Sequence, residues 1–312
     1  GVRSVGSKTS NGSESTGVIP FMKVVDAEML AFSQGVTRRG SYAAYLDISH
    51  PEIEEFLDVR KPTGGDINRK STNLHHGVVL SDRFMDIIER ATRIPGFNDS
   101  WDLVDPHSGN VIKTVSAKAL WVKLIQNRVE TGEPYIMFGD TVDEAIPEFQ
   151  RKLGLKVHQS NLCSEITLPT DKDRTAVCCL SSVNLEEYDE WKNNDQFIPD
   201  LIRMLDNVLE YFINYAPDQL ARAKYSASQE RSLGLGAMGF HAYLQRHNIP
   251  FESAMAKGRN MQMFSRIKSE AERATRTLAE ERGPCPDGQD YGVRNAHLLA
   301  IAPNASSSII CG

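Results

Sequence analysis

The sequence lacks any stretch that would place it in a membrane. No run of about eighteen apolar residues occurs in its 312 residues, and a bilayer-spanning helix needs roughly twenty. The first seventeen residues are rich in Ser and Gly and lack the apolar core of a signal peptide. These absences exclude a membrane partner and favour a cytoplasmic location.

The sequence also lacks an excess of positive charge. It holds 35 Lys and Arg against 41 Asp and Glu, a net charge of −6. Nucleic-acid-binding proteins present basic surfaces, so nucleic acid is excluded as a partner. With 40% hydrophobic and 24% charged residues, the chain is typical of a soluble globular protein. No linker or internal repeat interrupts it, so we expect one domain.

Cysteine is scarce and is not arranged for metal binding. No C-x-x-C motif and no Cys/His cluster with zinc spacing occurs, so no metal site is expected. An odd number of cysteines also argues against a secreted disulfide scaffold and favours a reducing compartment. The five cysteines are Cys163, Cys178, Cys179, Cys285 and Cys311.

Apolar strand-like segments alternate with segments of helical periodicity. Helices are predicted over residues 19–33, 81–93, 116–131, 197–213 and 253–282, and a short one after Pro51. Strands are predicted over residues 42–48, 74–80, 134–138 and 297–303. Because several of these strands are apolar throughout, the pattern indicates parallel strands covered by helices, an α/β layer or barrel.

The segment QSNLCSEITLP places Asn161, Cys163 and Glu165 at every second position. In an extended chain such side chains project to the same side, whereas a helix would spread them. A carboxylate can act as a general base, an amide can orient a hydroxyl, and a thiol can be a nucleophile or a one-electron centre. The spacing predicts a site on an extended segment. The alternative is a buried cysteine on an edge strand with solvated neighbours.

A second pair of cysteines, Cys178 and Cys179, follows in an apolar stretch. Adjacent side chains of a strand point to opposite faces, so at most one of them can share a site with Cys163. The alternative is that both are small buried hydrophobes.

The segment APNASSSII, residues 302–310, is a third candidate. A strand followed by Pro303, Asn304 and three serines predicts a turn into a helix. Backbone N–H groups and hydroxyls at such a helix start suit a phosphate. The alternative is an ordinary N-cap with additional serines.

Two further patterns are interpreted as structural. Residues 232–240, SLGLGAMGF, match the G-x-G-x-x-G spacing of dinucleotide sites. However, Arg231 and Ser232 precede it instead of an apolar strand, and no acidic residue follows at the right distance. We expect these glycines to permit close helix packing. His75 and His76 lie on one predicted strand, with packing or surface roles.

These segments together resemble the large catalytic subunit of ribonucleotide reductase. The resemblance is carried by NLCSEITLP, VCCLSSVNL, RSLGLGAMGF and RNAHLLAIAPNASSSII, with STGVIPF, HPEIEEFLDVRK and NLHHGVVL in support. It runs from one end of the chain to the other, and NLCSEI followed by P-x-x-S-S-S is quite specific. It implies an α/β fold, part of a ten-stranded α/β barrel. That barrel has two five-stranded parallel halves, antiparallel to each other, and a central finger loop.

The resemblance also implies roles in the reduction of ribonucleotides to 2′-deoxyribonucleotides. By match to the family motifs, Cys163 would become the thiyl radical that removes the 3′ hydrogen of the ribose. Glu165 would take the 3′-hydroxyl proton, and Asn161 would bind the substrate hydroxyls. Cys178 would be half of the redox-active pair that supplies electrons as the 2′-hydroxyl leaves as water. Burial would shield the radical from water.

Two nucleotide sites are implied as well. The turn that holds the substrate phosphates would match Pro303, Asn304, Ala305, Ser306 and Ser307. An allosteric dNTP or ATP effector would bind at the interface of a large-subunit homodimer, through two loops at residues 3–12 and 64–73. The effector-binding residues would be Arg3, Arg69 and Lys70.

The resemblance implies no cofactor bound by this chain. A metal-containing small subunit would supply the radical, as in class I enzymes; the alternative is adenosylcobalamin, as in class II. The NLCSEI motif favours class I. Thioredoxin or glutaredoxin would be the reductant.

Parts of the family pattern are absent. The partner of Cys178, the radical-transfer tyrosines, the C-terminal cysteine pair and the ATP-cone domain are not found. We therefore expect residues 1–312 to be a partial catalytic barrel domain that lacks N-terminal and C-terminal parts of the full subunit. Alone it would be inactive and would need the missing remainder. Two alternatives outside the family are a cysteine hydrolase, with Cys163 and a histidine, and a nucleotide-binding regulatory piece of a larger assembly.

Overall fold

The computed structural model describes residues 2–34 and 38–311 of the chain. The chain forms two compact units, the first made of residues 1–145 and 158–162, the second of residues 146–157 and 163–312. Each unit has its own apolar core. Among the described helices, none combines the length and apolar character that a bilayer span requires.

The first unit alternates strands and helices along most of its length. Its helices are α1 (Val18–Ala31), α2 (Ile53–Leu57), α3 (Asp82–Arg93), α4 (Ala117–Thr131) and α5 (Gly139–Ala145). Its strands are β1 (Ser33–Gln34), β2 (Arg38–Arg39), β3 (Ala43–Asp47), β4 (His75–Leu80), β5 (Ser100–Val104), β6 (Val111–Ser116) and β7 (Tyr135–Phe138). A single 3-10 turn is described here, Ile67–Arg69.

The predicted helices and strands of this unit are confirmed, with small shifts at their ends. The hairpin of β5 and β6 was not expected from the sequence. Most of β6 is exposed, so it lacks the alternation of buried and polar residues that marks a strand.

A parallel three-stranded sheet, in the order β3, β4, β7, forms the centre of the first unit. On its central strand, Val78 and Leu80 are fully buried. Gly77 pairs with Tyr45 across the sheet, and a Cβ at this position would meet the Tyr45 ring at 2.4 Å. The expectation of apolar parallel strands is therefore confirmed in this unit.

The second unit is mostly helical. Its helices are α6 (Glu148–Lys152), α7 (Tyr188–Trp191), α8 (Phe197–Tyr215), α9 (Ala221–Glu230), α10 (Phe240–Arg246), α11 (Ala254–Arg282) and α12 (Ala305–Cys311). Its strands are β8 (Leu180–Asn184) and β9 (Gly234–Met238). Its 3-10 turns are Leu185–Glu187, Asp218–Leu220 and Pro286–Tyr291.

Strands β8 and β9 are parallel, and a third extended segment lies beside β9. The backbone N–H of Leu235 donates to the Leu298 carbonyl at 2.8 Å, and the N–H of Ala300 donates to the Leu235 carbonyl at 3.2 Å. The strand predicted over residues 297–303 is thus an extended segment with one isolated parallel bridge, between Leu235 and Leu299.

The glycines of SLGLGAMGF serve strand contacts, and the expectation of helix packing was wrong for the first two. A Cβ on Gly234 would meet the Leu180 side chain at 2.3 Å, and one on Gly236 would meet the Ala300 carbonyl oxygen at 2.3 Å. Gly239 has φ of 78° and forms the N-cap of α10. Gly234 and Gly236 let three extended segments lie close together beneath the site described next.

Candidate active site

The segment that carries Cys163 is not a continuous extended chain. Leu162 and Cys163 form a turn, and Ser164 has φ of 69°, in the left-handed region that a serine seldom adopts. Residues 155–161 and 165–170 on either side belong to neither helix nor strand. The predicted strict alternation is therefore interrupted at Ser164, because a left-handed residue changes the direction of the chain.

The division between the two units falls inside this motif, after Leu162. Asn161 belongs to the first unit, where the Ser160 hydroxyl donates to the Asn161 carbonyl at 2.9 Å. Ser160 is in turn hydrogen-bonded to the Tyr45 hydroxyl on β3. These contacts fix the backbone at Asn161 to the central sheet of the first unit.

Cys163 and Glu165 belong to the second unit, which contains a cavity of about 70 Å³. This volume admits several water-sized groups. The cavity is lined by Glu165, Ile166, Thr167, Leu168, Cys178, Ser232, Leu233, His297, Leu299 and Ala300. It therefore brings together Glu165 and Cys178, two of the residues expected to act in catalysis.

Glu165 has one oxygen without a partner. Its Oε2 is buried, and no hydrogen-bond partner among the described residues reaches it. A buried carboxylate oxygen that accepts no hydrogen bond lowers the stability of the fold, unless a ligand or a water molecule donates one to it. The arrangement suits a carboxylate that accepts a hydrogen from a bound hydroxyl.

Cys178 and Cys179 lie just before β8 and diverge, as predicted. Cys178 lines the cavity. The Cys179 thiol donates to the Leu205 carbonyl at 3.5 Å and packs against the apolar core. Only Cys178 is thus available to the candidate site.

The thiol of Cys178 is held in its protonated form. Partial burial raises its pKa, and the negative charges of Glu165 and of an ionised Cys163 raise it further. A thiol with a raised pKa is a poor nucleophile but can still donate a hydrogen atom or a proton.

Cys163 is exposed in the described chain, which departs from the expected shielding of its thiol. It lies at the turn before Ser164, and it does not line the cavity. The second unit alone therefore does not enclose this sulfur.

The serine-rich turn has the predicted local form. Asn304 has φ of 56° and directly precedes α12. Its side-chain amide donates to the Ala302 carbonyl at 2.8 Å and to the Ala237 carbonyl at 3.3 Å, at the end of β9. The Ser307 hydroxyl donates to Oδ1 of Asn304 at 3.4 Å. Pro303, Ala305 and Ser306 complete this turn.

The expected effector-binding side chains have partners inside the first unit. Arg69 forms an ion pair with Glu55, in which Nε and Nη2 each donate to one carboxylate oxygen. The Lys70 ammonium donates to the Asp58 carbonyl at 2.9 Å, and Arg3 donates to the Lys8 carbonyl. A bound anion would have to displace or share these partners.

Both expected effector loops attach to α2 or its flanking residues. In the first loop, the N–H of Val5 donates to Glu52 at 3.0 Å. In the second loop, Arg69 contacts Glu55. The two loops therefore share one short helix of the first unit.

Sequence reasoning missed three polar residues near the cavity. Ser232 and His297 line it, and Glu230 is bonded to Ser232 behind it. The sequence indicates His297 only as part of a strand, and Ser232 only as a residue before a glycine motif. No spacing rule links the two positions, because tertiary pairing of residues 297–300 with β9 brings them together.

Among the described residues, no group of three or more His, Cys, Asp or Glu side chains is arranged to hold a metal ion.

Comparison with known proteins identifies one family. The family model described as "Ribonucleotide reductase, barrel domain" matches residues 1–287. The putative ribonucleoside-diphosphate reductase large subunit of Frog virus 3 (isolate Goorha) is 54% identical over 302 residues. The ribonucleoside-diphosphate reductase subunit alpha of Chlamydia pneumoniae is 31% identical over 383 residues.

A solved structure is similar as well. The Actinobacillus ureae class Id ribonucleotide reductase alpha subunit superposes with a TM-score of 0.81 and 33% identity, over 97% of this chain and 52% of that one. The chain also spans 52% of the Frog virus 3 protein and 36% of the Chlamydia pneumoniae protein. The family match and the structural similarity together indicate an α/β barrel fold.

Proposed function

Since the chain belongs to the large-subunit family of ribonucleotide reductases, we propose that it contributes part of the active site of a class I ribonucleoside-diphosphate reductase. The reaction is the reduction of ribonucleoside diphosphates to their 2′-deoxy forms. The observation that carries the proposal is the cavity shared by Glu165 and Cys178, with Cys163 as an electrostatic neighbour.

In this proposal each reactive side chain has one task. Cys163, as a thiyl radical, takes the 3′ hydrogen atom of the ribose. Glu165 takes the 3′-hydroxyl proton, for which its unpartnered Oε2 is suited. Cys178 supplies a proton and reducing equivalents as the 2′-hydroxyl leaves as water, and its protonated thiol supports that role. Asn161 would orient the substrate hydroxyls.

The substrate phosphates would bind at the turn before α12. Asn304 supports this proposal, because its contacts hold the turn against the end of β9. Backbone N–H groups and hydroxyls at the turn would bind the phosphate oxygens. The residues concerned are Pro303, Asn304, Ala305, Ser306 and Ser307.

The barrel of ten strands, in two parallel halves, is part of the same proposal. The chain spans about half the length of the curated relatives it matches. We propose that residues 1–312 are part of the catalytic barrel domain, and that the remainder of the subunit encloses Cys163. Enclosure matters because a thiyl radical exposed to bulk solvent would be quenched.

The proposed partners follow from the class I assignment. A metal-containing small subunit would supply the radical, and thioredoxin or glutaredoxin would restore the cysteines. The large subunit would form a homodimer in the cytoplasm, with dNTP or ATP effectors bound near Arg3, Arg69 and Lys70. The class Id neighbour supports a small subunit as radical source in preference to adenosylcobalamin.

The cysteine hydrolase expected from the sequence would use Cys163, which does not line the cavity; a hydrolase built instead on Cys178 and His297, which both line it, also receives little support. Such an enzyme needs a thiolate with a lowered pKa beside a histidine. Here the pKa of Cys178 is raised, and that of His297 is lowered to about 4 by burial. This combination disfavours a thiolate–imidazolium pair.

The test is turnover by the full-length large subunit with its small subunit. Cys163→Ser and Cys178→Ser should each abolish formation of deoxyribonucleoside diphosphate. Cys285→Ser is the control. Cys285 is fully buried and does not line the cavity, so this variant should retain activity. Normal turnover in Cys163→Ser would contradict the proposed function.

A further inference from the structure

Two polar residues of the cavity wall are joined to each other and to a buried carboxyl. The Ser232 hydroxyl lies 2.9 Å from Nδ1 of His297 and 3.0 Å from Oε2 of Glu230. None of these three residues has a task in the proposed radical chemistry. They form a hydrogen-bonded row that leads from the cavity into the second unit.

Glu230, the inner end of the row, is able to hold a proton. It is 1% exposed, and this burial raises its pKa against the opposing effect of its hydrogen bonds. Besides Ser232, those bonds come from Ser226 on α9 at 3.0 Å and from Gln150 on α6 at 3.2 Å. The charge of Arg174 also lowers the pKa of Glu230.

His297 is the outer end of the row, and its surroundings strongly disfavour the charged imidazolium form. Burial lowers its pKa to about 4, so at neutral pH the ring carries a single proton. Glu165 and Cys178 are the titratable groups that line the cavity with it. Arg174, whose charge acts on Glu230, is held by both carboxylate oxygens of Asp287, at 2.6 and 2.8 Å. The ring can therefore move its single proton between Nδ1 and Nε2 more easily than it can take up a second proton.

A hydroxyl has one hydrogen, so Ser232 can link the two ends in two ways. When Glu230 is ionised, Ser232 donates to it and accepts the Nδ1 proton of His297, which leaves Nε2 bare. When Glu230 is protonated, it can donate to Ser232, whose hydroxyl then donates to Nδ1, and the ring proton lies on Nε2. Passing from the first arrangement to the second takes up one proton at Nε2 and leaves one on Glu230.

We propose that His297, Ser232 and Glu230 form a proton wire that takes a proton from an acidic group in the cavity and stores it on Glu230. The inference rests on the proposed function, in which Glu165 gains the 3′-hydroxyl proton of the ribose. The O–H bond of Glu165 breaks, the proton crosses the cavity that both residues line, and an N–H bond forms at Nε2 of His297. The Nδ1 proton passes to Ser232, and the Ser232 proton passes to Glu230. Glu165 is returned to its ionised form while the imidazole stays neutral.

Two serine variants of the full-length large subunit separate a wire from a structural contact. Ser232→Ala removes the central hydroxyl. Ser226→Ala is the matched control, because it removes another buried serine that donates to Glu230 and leaves the link to His297 in place. Histidine 15N NMR between about pH 5 and 8 reports which ring nitrogen carries the proton. Turnover is measured with the small subunit.

In the wild type and in Ser226→Ala, the His297 proton should move from Nδ1 to Nε2 as the pH falls, without a charge on the ring. Ser232→Ala should abolish this movement and lower kcat by about 100-fold or more, a typical effect of lost proton transfer. The proposal would be overturned if Ser232→Ala and Ser226→Ala had equal effects on kcat and on which nitrogen of His297 carries the proton. It would also be overturned if the His297 proton of the wild type stayed on one ring nitrogen over the whole pH range. Since NMR does not depend on turnover, a wild type that makes no deoxynucleotide would contradict the proposed function instead.

Discussion

Cys178 and Cys179 are adjacent in the sequence, but their thiols have separate surroundings. Cys178 lines the cavity with Glu165, whereas the Cys179 thiol donates to the Leu205 carbonyl at 3.5 Å. One cysteine therefore serves the candidate site, and the other belongs to the core of the second unit.

Brief alkylation of the native protein should distinguish these thiols. We expect iodoacetamide to modify Cys178 well before Cys179, because Cys178 is exposed whereas Cys179 is half-buried. Cys285 is the internal control: it is fully buried, burial raises its pKa to about 11, and it should stay unmodified. Peptide mass spectrometry gives the order of labelling. Modification of Cys179 or Cys285 as fast as Cys178 would show that the surroundings assigned here are wrong.

Gly236→Ala should separate β9 from the extended segment beside it. The added Cβ would meet the Ala300 carbonyl oxygen at 2.3 Å, a backbone atom that cannot move alone. We expect a loss of about 1–3 kcal/mol in the free energy of unfolding, measured by urea denaturation. Gly258→Ala is the matched control, since this glycine lies in α11 with nothing within 4 Å of an added Cβ. It should stabilise the protein by about 0.5–1 kcal/mol. Equal effects of both substitutions would contradict the close strand packing.

Glu133→Gln should destabilise the protein in a pH-dependent way. Burial opposes ionisation of Glu133, but hydrogen bonds from His76 and His75 and the charge of Arg60 outweigh it and lower its pKa to about 2. Because the folded pKa lies below the ordinary value of 4.5, this stabilisation is complete above about pH 4.5 and is lost as the pH falls toward 2.

At neutral pH the substitution should cost on the order of 3 kcal/mol in the free energy of unfolding, and the difference from the wild type should shrink below pH 4.5. Urea denaturation between about pH 3 and 7 measures it. Glu130→Gln is the control. Glu130 is exposed and pairs with Lys61, so its substitution should cost less than about 1 kcal/mol. A Glu133→Gln protein as stable as the wild type at pH 7 would refute the assignment.

Arg69 should exchange partners if it binds an effector. Its ion pair with Glu55 must open for a nucleotide phosphate to take its place. We expect Arg69→Gln to weaken dNTP binding to the full-length subunit by about 10-fold, and Glu55→Gln to strengthen it by a few fold. Arg93→Gln is the control, since Arg93 pairs with Glu89 on the exposed face of α3. Equilibrium dialysis measures the affinities, and unchanged binding by Arg69→Gln would exclude this residue from the effector site.

Local patterns predicted the regular elements well. Ser81 caps α3 by accepting the Phe84 N–H at 3.2 Å, as its position before an amphipathic run indicated. The divergence of Cys178 and Cys179 also followed from local geometry, because neighbouring side chains on extended backbone point apart.

Features that depend on tertiary contacts could not be predicted. The left-handed conformation of Ser164 interrupts the expected alternation of side chains, and no residue preference predicts this conformation. Gly234 and Gly236 required knowledge of which segment lies beside β9. His297 and Ser232 are far apart in sequence, and only the pairing of residues 297–300 with β9 joins them in one cavity.

The most direct test of the central claim is a crystal structure of the full-length large subunit with a ribonucleoside diphosphate bound. We predict that the ribose lies at the cavity, with a hydroxyl against Oε2 of Glu165, the Cys178 thiol beside the 2′ carbon and the diphosphate at the turn around Asn304. A nucleotide bound elsewhere, with Glu165 and Cys178 both out of contact with the ribose, would contradict the account.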